Sequence, residues 1–311
     1  MTDEKFLNKL DFKRLSIEDK PFYDDKLAVE GERGCEYSFA NLYLWGRQRI
    51  YELDGSILFF SQFNRRSVYP FPIGSGDKKQ AIEAIIADAK ARDIPCRITG
   101  LRPDDRKFLS ENFPDRFRFH CDEGAFDYVY DINDLADLAG KKYHSKRNHI
   151  KRFYDAFPDA HVEPISDSNR ERAINMVRDW YKARLEADPN GDYFMEQAAI
   201  EKAFRDYDAL DLYGLILIGG DEVLALTMGS KLSHDTVDVH FEKARPDVQG
   251  AYAAINNEFA KYIRDTLPEV KFLDREEDMG LEGLRKAKRS YYPHHMVEKC
   301  WACLLEDGYD Y

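Results

Sequence analysis

Two stretches of the sequence gather positively charged side chains. Residues 141–152 (KKYHSKRNHIKR) contain six Lys or Arg and no acid, and residues 281–290 (LEGLRKAKRS) contain four Lys or Arg and one Glu. Cations concentrated in this way can bind an anionic ligand such as a phosphate. They can equally form two solvated helix faces, so both interpretations stay open at this point.

Helical spacing places one cation of each stretch beside apolar side chains. In a helix over 141–157, Arg147 follows Tyr143 by four residues, and in the second stretch Lys288 follows Leu284 by four. Burial of an uncompensated charge is costly, so each cation needs a partner. The partner is either an internal acid or a ligand phosphate. We therefore take Arg147 and Lys288 as candidate catalytic residues.

An acidic loop, residues 274–278 (DREED), directly follows the apolar stretch VKFL. Ligands of open α/β sheets bind beyond the carboxyl ends of strands, so Asp274 stands where it can hold or deprotonate a reacting amine. It is a third candidate catalytic residue. Two other roles remain open, because Asp274 or Asp278 can pair with Lys288, and Asp278 can cap the helix that follows.

Other common site patterns are missing from the sequence. It contains no Gly-x-Ser-x-Gly motif and no Walker sequence. Cys300 and Cys303 have the spacing of a redox or zinc motif, but they fall in a predicted strand, where an odd separation sends side chains to opposite faces. The adjacent His294 and His295 do not complete a zinc site. We predict no metal site.

Composition agrees with a globular protein that binds an anion locally. The 311 residues are 43% apolar and 33% charged, enough for two modest domains. The formal charge is −12, and because the two basic stretches sum to +9, the rest of the chain carries −21. A basic site on an acidic body is expected to bind an anion in one place and repel polyanions elsewhere.

Membrane and secretion signals are missing as well. No run approaches the ~18 apolar residues of a membrane span, and the N-terminus lacks the apolar core of a signal peptide. We predict a cytoplasmic protein without membrane insertion. Its five cysteines are an odd number in a large chain, so we expect reduced thiols.

The order of predicted elements occurs twice. In the first half, a hairpin that turns at Asp54-Gly55 is followed by strand, helix, strand, helix and strand. The second half repeats this order from a hairpin that turns at residues 219–221. Such repetition indicates a duplicated domain. We predict an α/β (α+β) fold of two tandem domains, 1–133 and 134–311, each a mixed β-sheet flanked by helices.

Three stretches resemble a known family: CEYSFANLYLW (35–45), GKKYHSKRNHIKRF (140–153) and DREEDMGLEGLRKAKRSYYP (274–293). They are similar to the domain family that also forms the cytosolic C-terminal part of phosphatidylglycerol lysyltransferases. Its members look like tandem GNAT-type folds, akin to the Fem-type aminoacyltransferases of peptidoglycan synthesis. The resemblance spans nearly the whole chain and implies two GNAT-like domains. The membrane-spanning half of the lipid enzymes is not part of it, so we do not expect a lipid-modifying role.

The resemblance implies acyl transfer. The donor it favours is aminoacyl-tRNA, and the acceptor is an amine or hydroxyl on a small molecule or a peptide. Direct transfer in a ternary complex needs no covalent enzyme intermediate. An acyl-CoA donor is an alternative, for which the loop ARPDVQGAY (244–252) is a poor match. A degenerate, non-catalytic module that binds an anion or tRNA is another alternative, and no cofactor is assigned with certainty.

The resemblance also nominates binding residues. In the Fem-like pattern the basic segment lies beside the substrate or donor groove, and it corresponds here to Lys146, Arg147 and Asn148. The matching stretch at 274–293 supplies the remaining candidate donor- or substrate-binding residues, which are Arg275, Arg285 and Tyr291.

Overall fold

The chain folds into two compact units. The computed structural model describes residues 9–63, 66–189, 191 and 193–307. The first unit contains the described residues of 1–127, 277–285 and 296–311, and the second contains those of 128–276 and 286–295. These units are not the continuous segments 1–133 and 134–311 expected from the sequence.

Runs of strands and α-helices follow one another along the described chain. The strands are β1 (Lys13–Arg14), β2 (Gln48–Leu53), β3 (Ser56–Phe63), β4 (Arg66–Pro70), β5 (Ile73–Gly74), β6 (Arg97–Leu101), β7 (Phe117–Cys121), β8 (Asp127–Asp131), β9 (His161–Pro164), β10 (Tyr213–Gly219), β11 (Glu222–Lys231), β12 (Thr236–Ala244), β13 (Phe272–Asp274), β14 (His295–Val297) and β15 (Cys300–Leu304). The α-helices are α1 (Lys20–Leu27), α2 (Phe39–Trp45), α3 (Lys78–Arg92), α4 (Pro103–Asn112), α5 (Ile132–Asp137), α6 (His144–Ala156), α7 (Arg170–Ala187), α8 (Phe194–Arg205), α9 (Ala251–Thr266) and α10 (Glu282–Arg289).

Local sequence signals explain where several elements begin and end. Asp54 and Gly55 join β2 to β3 with φ of 44° and 89°, the positive values that a tight two-residue hairpin turn requires. Asp77 caps α3, because its Oδ1 accepts the backbone N–H groups of Lys79 at 2.8 Å and Gln80 at 3.3 Å. The predicted hairpin and helix of the first half are therefore confirmed.

The two sheets have the same order of strands. The first runs β1-β2-β3-β4-β6-β15-β7, with β5 beside β3. Read in the matching direction, the second runs β9-β10-β11-β12-β13-β8-β14. In each, an antiparallel hairpin leads to a third strand, which pairs in parallel with the strand after the helix. The repeated order predicted from the sequence is confirmed at the level of strands.

Each sheet also contains a strand from the other half of the sequence. β15 lies between β6 and β7 in the first sheet, and β8 lies between β13 and β14 in the second. The halves of the sequence are thus not self-contained. Local sequence patterns could not reveal this exchange, because strand partners are chosen by long-range packing.

Each sheet packs against the helix that connects its two parallel strands. In the first unit, α3 contributes Ala81, Ile82 and Ile85 to a core that contains apolar side chains of β3, β6 and β15. In the second unit, α9 buries Ile255, Phe259 and other residues, and it packs beside β10, β11 and β12. Helical spacing of the apolar residues is the physical reason that one face of each helix is buried.

The expectation of five reduced cysteines is wrong for two of them. Cys121 of β7 and Cys300 of β15 form a disulfide, whereas Cys35, Cys96 and Cys303 are not disulfide-bonded. The two strands bring the Cα atoms of the pair to 4.4 Å although the residues are 179 positions apart. Cysteine counting could not anticipate that register.

None of the helices in the described part of the chain is both long enough and apolar enough to cross a bilayer.

Candidate active site

In the second unit, strand β13 ends partway along its parallel neighbour β12. β12 and β13 pair from Thr236 opposite Phe272 to Asp238 opposite Asp274, where β13 ends. β12 continues to Ala244. The side chains of Asp238 and His240, two residues apart on β12, approach each other to 3.2 Å between Oδ2 and Nδ1. The carboxyl ends of strands are where open α/β sheets bind ligands.

Four side chains form what we call the cation–tyrosine cluster, defined as Lys146, Glu242, Arg275 and Tyr291. The Lys146 ammonium lies 3.6 Å from the centre of the Tyr291 ring, and the Arg275 guanidinium carbon lies 5.1 Å from the same centre. Arg275 also donates from Nη2 to Glu242 at 2.9 Å, and Lys146 donates to Ser290 Oγ at 2.6 Å. Both cations therefore lie beside the ring of Tyr291, and Arg275 also contacts the carboxylate of Glu242.

The surroundings of Lys146 weaken its hold on a proton. Burial and the positive charge of Arg275 lower the pKa of the half-buried Lys146 ammonium to about 8, although Glu242 acts in the opposite direction. Burial raises the pKa of the Tyr291 phenol to about 12. Near neutral pH, Lys146 is thus a cation that can give up its proton, beside a phenol that stays neutral.

Arg275 stays charged despite its burial. Desolvation opposes the positive form, but Glu242, Tyr130 and Tyr291 outweigh it, so the pKa of the guanidinium is above its usual value. The Tyr130 ring centre lies 5.7 Å from the guanidinium carbon. Arg275 is therefore a fixed positive charge in the cluster.

Lys288 is buried and holds the backbone of the 274–278 loop. Its ammonium donates to the carbonyl oxygens of Arg275 and of Glu276, the latter at 3.1 Å, and its own carbonyl accepts the Tyr130 hydroxyl at 2.8 Å. The sequence predicted an internal acid or a ligand phosphate as its partner, whereas these two acceptors are backbone carbonyls. These contacts position the loop that carries Arg275.

Asp274 is fully buried at the end of β13. Its Oδ1 accepts the backbone N–H of Glu276 at 2.8 Å, which closes the turn after the strand. The turn orients the residues that follow Asp274, including Arg275. The catalytic role expected for Asp274 stays a prediction.

The predicted position of Arg147 on a packed helix face is wrong. Arg147 is exposed, and its Nη1 donates to the carbonyls of Leu138 and Gly140, the latter at 2.8 Å. The reason is that α6 begins at His144, after a short 3-10 turn over 141–143, so the helix starts later than the apolar spacing predicted. Asn148 is also exposed, and its Nδ2 lies 3.1 Å from His144 Nε2.

Arg285 belongs to the first unit. It pairs through Nε with Asp278 Oδ2 at 2.7 Å and through Nη2 with Oδ1 at 3.1 Å. Asp278 also accepts the backbone N–H of Gly280 at 2.8 Å, as expected of an acid in the turn before a helix. Three of the predicted binding residues, Lys146, Arg275 and Tyr291, thus come together in the second unit.

Sequence reasoning missed the polar side chains of β11 and β12. Ser230, Asp238 and His240 are buried, and Ser230 lies opposite Asp238 in the strand register. The signal was the pattern in TVDVHFEKA, where an acid or a histidine occupies positions 238, 240 and 242, and the positions before each of them are apolar.

The first unit contains a buried ionic cluster around Lys299. The Lys299 ammonium contacts carboxylate oxygens of Asp127 at 2.7 Å, Glu277 at 3.1 Å and Glu36 at 3.3 Å. Desolvation opposes its charge, but these acids hold the pKa of Lys299 well above the usual value. Cys35 closes the cluster, because its backbone N–H donates to Asp127 Oδ2 at 2.8 Å.

Known structures share this architecture along most of the chain. A conserved protein of unknown function from Bacteroides thetaiotaomicron VPI-5482 is 34% identical, with a TM-score of 0.89 over 95% of this chain and 99% of its own. L-PGS from Bacillus licheniformis is 13% identical, with a TM-score of 0.69 over 95% of this chain and 94% of its own. FemX is 12% identical, with a TM-score of 0.60 over 96% and 98%.

No curated protein matches the sequence. The predicted tandem GNAT-like fold is confirmed by the two sheets and by the structural similarities. The family model described as "Phosphatidylglycerol lysyltransferase, C-terminal" matches residues 28–303. Since that match covers most of the 311 residues, the chain belongs to this family.

Proposed function

We propose that this chain is an acyltransferase that moves an aminoacyl group from aminoacyl-tRNA to an amine or hydroxyl acceptor at the cation–tyrosine cluster. Its family, together with its likeness to L-PGS and FemX, supports an acyltransferase-like role. The observation that carries the proposal is Lys146, a half-buried ammonium with a pKa of about 8 beside the fixed charge of Arg275.

The cluster has the charge needed to hold an anionic donor. Glu242 accounts for one negative charge against the two positive charges of Lys146 and Arg275. A phosphate or a developing oxyanion near Tyr291 would balance the remaining charge. Charge-assisted hydrogen bonds of this kind are about twice as strong as neutral ones, so the two cations favour binding and transition-state stabilisation together.

The proposed step is a direct transfer. The acceptor nitrogen or oxygen attacks the ester carbonyl carbon, a bond forms between them, and the bond from that carbon to the ribose oxygen of the tRNA breaks. The Lys146 ammonium gives its proton to the departing ribose oxygen. The neutral Lys146 amine then takes the proton released by the attacking group, so the enzyme ends as it began. A pKa near the working pH suits both transfers.

The loop after β12 is poorly suited to a CoA pyrophosphate. Arg245 is already bound to Asp247 Oδ2 at 2.8 Å and to Glu222. A cation that two acids already neutralise attracts a phosphate only weakly. This favours aminoacyl-tRNA over acyl-CoA as the donor.

Turnover tests the proposal and separates it from a non-catalytic binding module. Charged tRNA pools carrying radiolabelled amino acids are incubated with the protein and a library of amines, and labelled product is separated from hydrolysed amino acid. Wild type is expected to form product faster than buffer. Lys146→Met is expected to lose about 100-fold or more in kcat/KM, the range of a general acid–base group.

The matched control is Lys151→Met on the same helix. Lys151 is exposed and pairs with Asp155 at 2.7 Å, so transfer by this variant should equal that of wild type. If wild type binds charged tRNA in a salt-sensitive manner but forms no product with any acceptor, the chain is a binding module. If it instead consumes acetyl-CoA and leaves charged tRNA intact, the donor assignment is wrong.

A further inference from the structure

Three buried polar side chains on β11 and β12, those of Ser230, Asp238 and His240, lie next to one another with incomplete hydrogen bonding. His240 Nε2 lies 2.8 Å from Ser230 Oγ, and His240 Nδ1 lies 3.2 Å from Asp238 Oδ2. The second contact is close but does not have hydrogen-bond geometry, since neither Nδ1 nor either Asp238 oxygen has a hydrogen-bond partner among the residues that the structure describes. Asp238 is 0% exposed and His240 is 8% exposed.

Such an arrangement is costly unless a positive charge completes it. A buried carboxylate without hydrogen bonds loses several kcal/mol of solvation, and almost all buried polar groups in proteins are paired. If Nδ1 carried a proton for Asp238, the N–H would point at the carboxylate, and it does not. When His240 instead donates Nε2–H to Ser230, the Nδ1 lone pair is left facing the carboxylate side.

A second carboxylate reaches the same place. Glu276 Oε1 lies 4.0 Å from His240 Nδ1, and one ligand atom from each of Asp238, His240 and Glu276 lies within 4.8 Å of the others. Ligands at about 2.1 Å from one cation are separated by roughly 3 to 4 Å, so these distances suit a shared ion.

We propose that Asp238, His240 and Glu276 bind one divalent transition-metal ion, Zn²⁺ or Mn²⁺, with Ser230 as the residue that orients the imidazole. One imidazole nitrogen with two carboxylates is a ligand set that these ions accept, whereas Mg²⁺ and Ca²⁺ prefer oxygen alone. Ligating histidines usually donate their other N–H to an acceptor, the position that Ser230 occupies.

The ion would connect two parts of the second unit. Asp238 and His240 are on β12, while Glu276 is in the loop that also carries Arg275. Binding all three would fix that loop against the strand. This inference does not depend on which acyl donor the protein uses.

The test is metal binding by the full-length chain after chelator treatment and dialysis. Isothermal titration with MnCl₂ and ZnCl₂, and the electron paramagnetic resonance signal of free Mn²⁺, measure stoichiometry and affinity. We expect one ion per chain. Asp238→Asn and His240→Gln should each weaken Mn²⁺ binding by at least ~100-fold, and Ser230→Ala by about 10- to 100-fold, as is typical for loss of an orienting residue.

Two controls separate this site from adventitious histidine binding. His161→Gln removes an exposed histidine that lies two strand positions from an acid. His161 Nε2 is 3.4 Å from Glu163 Oε1. His294→Gln breaks the pair in which the Nδ1 atoms of His294 and His295 lie 2.8 Å apart. Both variants should bind Mn²⁺ as wild type does.

Each outcome decides the inference. Circular dichroism establishes whether the variants fold. If His240→Gln does not fold, the Ser230→Ala variant, which alters one small side chain, still tests the site. Added Mn²⁺ should raise the melting temperature of wild type but not of Asp238→Asn. The inference is overturned if wild type binds no ion, if Asp238→Asn binds as tightly as wild type, or if only His294→Gln loses binding. Absence of binding together with a His240 ring that stays doubly protonated in ¹⁵N NMR would assign the positive charge to an imidazolium.

Discussion

Lys299 in the first unit and Lys146 in the second show how similar sheets can carry opposite chemistry. Three carboxylates contact the Lys299 ammonium between 2.7 and 3.3 Å and raise its pKa. Lys146 instead faces the ring of Tyr291 at 3.6 Å, and burial together with the charge of Arg275 lowers its pKa to about 8. The strand order is the same in both sheets, but Lys146 lies on α6 whereas Lys299 lies between β14 and β15, so the two cations have different surroundings.

The comparison separates a structural cation from an available one. A lysine surrounded by acids is already neutralised and does not attract a further anion, and its removal leaves buried negative charge behind. A lysine beside another cation gains from an incoming anion and can release its proton near neutral pH. Lysine substitutions in the two units should therefore have different effects on folding stability.

Lys299→Met should cost the most folding stability. The substitution leaves Asp127 fully buried next to two other carboxylates, so we expect a loss of about 3–5 kcal/mol in the free energy of unfolding, measured by urea denaturation. Lys107→Met is the control, because that side chain is 73% exposed. An Lys299→Met variant as stable as the control would remove the contrast between the units.

Lys288→Met should cost about 2–3 kcal/mol. Its ammonium supplies hydrogen bonds to two backbone carbonyls, and methionine keeps the volume but not the donors. Lys286→Met, an exposed change on the same helix, should alter stability by no more than ~0.5 kcal/mol. The affinity of a folded Lys288→Met molecule for the donor should fall only if loss of these hydrogen bonds moves the loop that carries Arg275. Unchanged stability with lost affinity would make Lys288 a ligand-binding group.

Arg147→Ala should cost about 1 kcal/mol of stability. The guanidinium is exposed and donates to two carbonyls near the end of α5, a favourable but solvent-screened interaction. The exposed Arg152→Ala variant serves as the comparison in thermal melts. A loss near that of Lys299→Met would mean that Arg147 is a buried structural cation after all.

Lys146→Met should change stability least and with a distinct pH dependence. The pKa of Lys146 is about 8 in the folded chain and 10.5 in its ordinary state, so the unfolded state binds more protons between these values. Wild-type stability should therefore gain relative to the variant as pH rises from about 8 to 10.5. At pH 7 the variant should equal wild type or exceed it by no more than about 1 kcal/mol, since partial exposure reduces the effect. A variant less stable than wild type at pH 7 would place Lys146 in the structural class.

Sequence reasoning recovered the elements better than their partners. The Asp54-Gly55 turn is a local signal that occurs as predicted, and the helix predicted after it is capped by Asp77. The exchange of β8 and β15 between sheets and the disulfide between Cys121 and Cys300 depend on register between distant strands, which no local pattern encodes.

The site was recovered in part for the same reason. Lys146, Arg275 and Tyr291 were predicted and lie together. Arg147 was misplaced because a 3-10 turn delays the start of α6. His240 was missed because it lies on a buried strand, where the helical spacing that indicated Lys288 does not apply.

The pH dependence of kcat for aminoacyl transfer tests the central claim most directly. Lys146 must be protonated to release the ribose oxygen, so wild-type kcat should fall as pH rises through about 8. Lys146→Arg should lose that fall within pH 6 to 9, because an arginine stays charged there, and Lys146→Met should be low and flat. A Lys146→Met variant that keeps wild-type kcat and the same fall near pH 8 would contradict the account.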